Sequence, residues 1–130
     1  MVMVAMMVFL TRGQLKRPGT LALFVDTVSL EEGIGDYRAV LWKLDEGECW
    51  WSAKRLSFPD LVGNEWLARA FFLHEAAHAI AGEATRDVPH GSEWRKVLDR
   101  LFTRHLHDIT PGFRSLLLEW VVDGLVPTGI

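Results

Sequence analysis

The stretch LARAFFLHEAAHAIAG, from Leu67 to Gly82, sets Leu67, Ala70, Phe71, Ala77 and Ala81 three and four residues apart, with His74 and His78 on the same stripe. That period predicts a helix with one buried face, stopped by Gly82. Histidines four apart on a helix project from one face about one turn apart, close enough to grip a single ion. Neutral imidazole is a good zinc ligand, and Glu75 between the two can act as general base toward a water that zinc has made acidic. A buried helix can also carry histidines that merely hydrogen-bond. Their place on the inward stripe, where an unpartnered polar group is costly, favours a metal.

Downstream the helical period continues. A helix is expected from Ser92 as N-cap, with Trp94, Val97, Leu98, Leu101 and Phe102 inward and Arg95, Lys96, Asp99 and Arg100 outward. Another starts at Thr110-Pro111 and carries Phe113, Leu116, Leu117, Trp120 and Val121 before Gly124. Upstream the pattern is mostly β. The apolar run Met1–Leu10 reads as a buried strand or helix, and Arg17-Pro18-Gly19-Thr20 as a turn. Leu21–Leu30 reads as a strand from its Leu, Phe and Val content. After a turn over Glu31–Asp36, Tyr37–Leu44 and Cys49–Phe58 are expected as two strands around a hairpin loop at Asp45-Glu46-Gly47. Strands followed by helices predict one α+β domain over residues 1–130, a small antiparallel or mixed sheet packed on the helix of His74 and His78.

A catalytic zinc keeps three protein ligands and one open position. The nearest candidate for the third is His90, in the loop Val88-Pro89-His90-Gly91-Ser92, where Gly91 permits a tight approach. The combined pattern, His74-Glu75-x-x-His78 followed by His90-Gly91-x-Glu93-Trp94 opening a helix, resembles the SprT-like zinc metallopeptidases. That group includes the Spartan-type proteases of DNA–protein crosslink repair. The likeness covers about Asp60 to Phe102. It implies a zincin fold, His74, His78 and His90 as zinc ligands, Glu75 as catalytic base, and a protein or peptide substrate lying along the sheet by strand addition. Many members of that group add a cysteine-rich zinc ribbon, which a chain with Cys49 as its one cysteine cannot hold. The longer metzincin pattern is absent, since Ala81 and Ala84 stand at its glycine and third histidine.

Two rivals compete with His90. Glu119, on the last expected helix, would be the third ligand of a gluzincin; as a helix residue it reads better as solvated. Gly33-x-Gly35 and Glu46-Gly47 before Cys49 resemble the order seen in peptide deformylases, but Glu48 intervenes, and a cysteine beside Trp50 in a strand is more often core. His105 and His107 fit a helix end, where positive charge meets the helix dipole, better than a role near a scissile carbonyl. Arg95, Lys96, Arg100 and Arg104 read as a solvated face rather than a phosphate contact. Trp42, Trp50, Trp51 and Trp66 are expected to pack the sheet on the first helix or to line a groove.

The formal net charge of −3 over 130 residues does not favour DNA as a partner. The apolar start is too short to span a bilayer, its basic residues follow rather than precede it, and the lone cysteine offers no disulfide. A cytoplasmic home without a membrane partner is the resulting expectation. Two readings compete from different classes: a zinc peptidase, and a non-catalytic module in which a fourth protein ligand closes the zinc and the surface binds protein or DNA.

Overall fold

The first helix, α1 (Leu21–Glu31), lies where a strand was expected. Val25, Thr27 and Val28 carry the branched side chains common in strands, but the buried residues Leu21, Ala22, Val25 and Val28 recur at helical spacing. Position of burial, not side-chain type, settled the local conformation. The helix closes on Gly33 at φ 73, with Gly33 N–H donating to Leu30 O and Ile34 N–H to Ser29 O. This pair of bonds is a Schellman closure, and its left-handed position suits glycine. Ile34, just beyond, is buried.

The computed structural model describes residues 7–9, 20–42, 48–59 and 65–122. Within them, four strands form one mixed sheet: β1 (Met7–Phe9), β2 (Arg38–Trp42), β3 (Glu48–Trp50) and β4 (Arg55–Pro59), in the order β1-β2-β4-β3. The expected pairing across residues 45–47 does not occur, and that loop lies outside the described residues. Instead β2 pairs parallel with β4, Ala39 opposite Leu56 and Leu41 opposite Phe58. The expected strand Cys49–Phe58 folds back on itself: β3 runs antiparallel to β4, with Cys49 opposite Leu56 and Trp50 opposite Arg55. The reversal is made by Trp51–Lys54, where Lys54 takes φ 52. No glycine or proline marks this turn, so nothing local announces it. Met1–Met6 and Leu10 of the apolar start lie outside the described residues; Met7–Phe9 pair antiparallel with β2.

Alternation along β4 turns Leu56 and Phe58 to one face, where both are fully buried. Against that face lies α2 (Glu65–Ala81), with the Phe58 and Phe72 rings edge to face at 5.4 Å. From Phe71 to His78 every residue of α2 is buried, so it is the central helix rather than a surface one. α3 (Ser92–His105) and α4 (Pro111–Val122) cover its other sides through Trp94, Leu98, Leu101, Phe102, Leu117 and Val121. Ser92 is the first residue of α3, and Gly91 occupies the cap without a side-chain bond. Thr110 does cap α4, its Oγ1 accepting the Phe113 N–H at 3.3 Å.

An ion cluster ties α1 to α3. The Glu32 carboxylate, 3% exposed, accepts Arg100 at 2.8 Å, Arg104 at 3.2 Å and His105 at 2.7 Å. Burial alone would raise its pKa, but the bonds from His105 and Arg100 outweigh that and hold it below the ordinary range. His105 is therefore an interior residue rather than the solvated helix-end histidine expected, while His107 is exposed. Arg95 pairs with Asp99 and Lys96 with Glu93, so the basic face of α3 is neutralised along its length. Among the described residues no helix is long and apolar enough to cross a membrane.

Candidate metal centre

His74 and His78 sit in the second half of α2, one turn apart, with ring centroids 5.1 Å apart. The third histidine arrives by a short return. Gly82 at φ 91 ends the helix, and one turn of 3-10 helix, Glu83–Thr85, follows. Thr85 Oγ1 donates to Gly82 O at 2.7 Å, Val88 N–H to Thr85 O and Gly91 N–H to Val88 O. These successive turns bring His90 back over α2, its ring 5.0 Å from those of both His74 and His78. Gly91 is needed there for space: a Cβ on it would lie 2.7 Å from Val88 Cγ1.

One nitrogen from each of the three rings falls within 4.8 Å of the others. The Nε2 atoms of His78 and His90 are 3.2 Å apart. Two nitrogens each about 2.05 Å from one tetrahedral zinc would be about 3.3 Å apart, so the spacing fits a shared ion. The tautomer of His74 fits as well. Its Nδ1 lies 2.6 Å from the Val121 carbonyl, which can only accept, so Nδ1 carries the proton and Nε2 keeps its lone pair. Burial drives the pKa of His74 to about 4 and that of His78 to about 3, and lowers His90 too. All three rings are neutral near pH 7, the form that ligates.

Glu75 is 4% exposed, and its Oε2 lies 3.7 Å from His74 Nε2. Burial first, then the charge of Glu48, push its carboxyl well above the usual range. A divalent cation beside it would bring that pKa back down and restore a base at neutral pH. The rivals are not brought to the cluster. Glu119 is exposed on α4, and neither it nor Cys49 belongs to the three-residue group. The Cys49 thiol, half-buried on β3, is pushed up to about 12 by burial and by the charge of Glu75.

Tryptophans frame the site in a way their composition did not announce. Trp94, fully buried, lies within 5.3 Å of all three histidine rings, and its indole N–H donates to His74 O at 3.2 Å. Trp51 donates its indole N–H to His78 O at 2.9 Å. Trp50 points away from the site, stacked under Arg55 at 3.7 Å and bonded to Glu48. Trp66 packs beside Arg69, and the side chain of Trp42 lies outside what is described.

Compared with known proteins, the chain matches no family model, no curated protein and no solved structure.

Proposed function

We propose that the chain is a small zinc-dependent peptidase of the SprT-like zincin type, with His74, His78 and His90 as ligands and Glu75 as base. The observation that carries this reading is the convergence of three neutral imidazole nitrogens within 4.8 Å, with a buried carboxylate 3.7 Å from one of them. Among the described residues no fourth histidine, cysteine or carboxylate joins the group, which favours an open, catalytic coordination position over a closed structural one. Bound zinc would supply Lewis acidity, making a water acidic and polarising a carbonyl.

The remaining work falls to the chain. Glu75 Oε2 takes the proton from the attacking water and delivers it to the amine nitrogen that leaves. The buried surroundings of Glu75 strengthen every charge interaction in the site. β3 stands at the edge of the sheet order, with Cys49 near enough to Glu75 to feel its charge. An extended peptide pairing with that edge would lie alongside the base, as strand addition requires. The ion-paired face of α3 and the net charge of −3 do not favour DNA as a partner.

Glu75→Gln tests the proposal. It should retain zinc and lose hydrolysis of an unfolded protein substrate by about 100-fold or more. Full activity in that variant would end it.

A further inference from the structure

The two histidines of α2 are held by different means. His74 is fixed through its ring, by the Nδ1 bond to Val121 O. His78 has no such tie: its Nδ1 is buried and has no hydrogen-bond partner among the described residues. It also lies in the last turn of α2, ahead of the reversal at Gly82, where helical carbonyls run out of partners. Yet its Nε2 keeps a 3.2 Å register with that of His90.

Two indoles account for this. The Trp94 ring stacks on the His78 ring at 5.3 Å with an interplanar angle of 22°, so the imidazole cannot swing toward α3. Trp51 acts on the backbone beneath it. The His78 carbonyl already accepts the Gly82 N–H at 3.0 Å, and its second lone pair takes the Trp51 indole N–H at 2.9 Å. That bond ties the final turn of α2 to the β3–β4 reversal, a separate element of the sheet. Trp94 makes the matching bond to His74 O one turn earlier. A side chain locked by packing and by hydrogen bonds to its supports holds ligand geometry that the ring alone cannot.

We infer that Trp51 and Trp94 are positioning residues, Trp51 through its bond to the His78 carbonyl and Trp94 through its stack on the His78 ring and its bond to the His74 carbonyl, and that together they set how tightly the three-histidine site holds its ion. The inference rests on the metal-site reading, and not on peptidase activity.

The experiment loads the full-length chain with zinc and follows release to excess EDTA. Trp51→Phe and Trp94→Phe remove the indole N–H and keep an aromatic ring. Trp50→Phe makes the same change on the neighbouring residue, whose indole faces Glu48 and Arg55 instead. Zinc should leave Trp51→Phe and Trp94→Phe about tenfold faster than the parent chain, and Trp50→Phe at the parental rate. Cobalt in place of zinc should show shifted visible bands in Trp51→Phe and parental bands in Trp50→Phe. Parental release from Trp51→Phe, or equal acceleration in Trp50→Phe, would overturn the inference. Should the buried Trp94→Phe not fold, Trp51→Phe against Trp50→Phe decides alone. A parent chain that holds no zinc would overturn the metal-site reading and this inference together, whereas parental release from the variants overturns only the inference.

Discussion

His74 Nδ1 and the Val121 carbonyl stand 2.6 Å apart, so the end of α4 determines which nitrogen of a residue on α2 faces the candidate site. The contact joins positions 47 residues apart and involves a backbone atom. Its consequence is a candidate ligand set whose members differ in what holds them: His74 by α4, His78 by two indoles, His90 by a tight loop.

The ligands should be separable from their rivals by metal content. His90→Ala should weaken zinc binding by at least about 100-fold, since it removes one of three donors outright. Glu119→Ala and Cys49→Ser should leave it unchanged. Atomic absorption on equal amounts of purified protein reads the difference, and parental zinc in His90→Ala would remove it from the site.

Gly91→Ala should mimic the loss of His90 without touching a ligand. The new methyl would press on Val88 Cγ1 at 2.7 Å and displace the turn that carries His90. Pairing it with Val88→Ala opens that space, so the double variant should regain most of the zinc affinity. If it recovers none, the glycine serves some purpose other than room for Val88.

Stability of the metal-free chain should depend on pH in two opposed ways. His74 and His78 have folded pKa values of about 4 and about 3 against 6.5, so on acidification the unfolded chain protonates first. They destabilise the fold as pH falls from 6.5 toward 3. Glu75 has a raised pKa, so the unfolded chain ionises first as pH rises above 4.5, and the fold weakens upward from there. Glu75→Gln removes the second effect and leaves the first. The urea midpoint of Glu75→Gln in EDTA should therefore gain on that of the parent chain as pH rises above 4.5; parallel curves would contradict the assignment.

The Glu32 cluster should behave as a buried charge network. Glu32→Ala strands two arginines and an interior histidine, at a cost of about 2 kcal/mol after allowing for the half-exposed guanidiniums. The lowered pKa of Glu32 means its contribution is complete above about pH 4.5 and fades as pH falls through the folded value. Denaturant titration at pH 7 and pH 4 should show a larger gap between parent and variant at pH 7.

The helices α2, α3 and α4 were legible because each combines a 3.6-residue apolar period with a local start or stop: Gly82, the Gly91-Ser92 junction, Thr110-Pro111. α1 reads as a strand because its branched residues mask the helical spacing of Leu21, Val25 and Val28. The β2–β4 pairing is parallel and non-local, and the turn at Trp51–Lys54 lacks glycine and proline, so neither leaves a local mark. At the site, the histidines and Glu75 could be picked out as residue types. Val121 could not, because any residue supplies a carbonyl, and Trp51 reads from sequence as sheet packing whereas its donor meets His78 O.

The three histidines fall between positions 74 and 90, whereas the atom that sets the His74 tautomer belongs to residue 121. During synthesis from the N-terminus, every candidate ligand therefore leaves the ribosome before α4 does. Until α4 docks, no Val121 carbonyl holds the His74 ring, and either of its nitrogens can carry the proton. The choice of ligating nitrogen on His74 is therefore made by the last described helix to be synthesised.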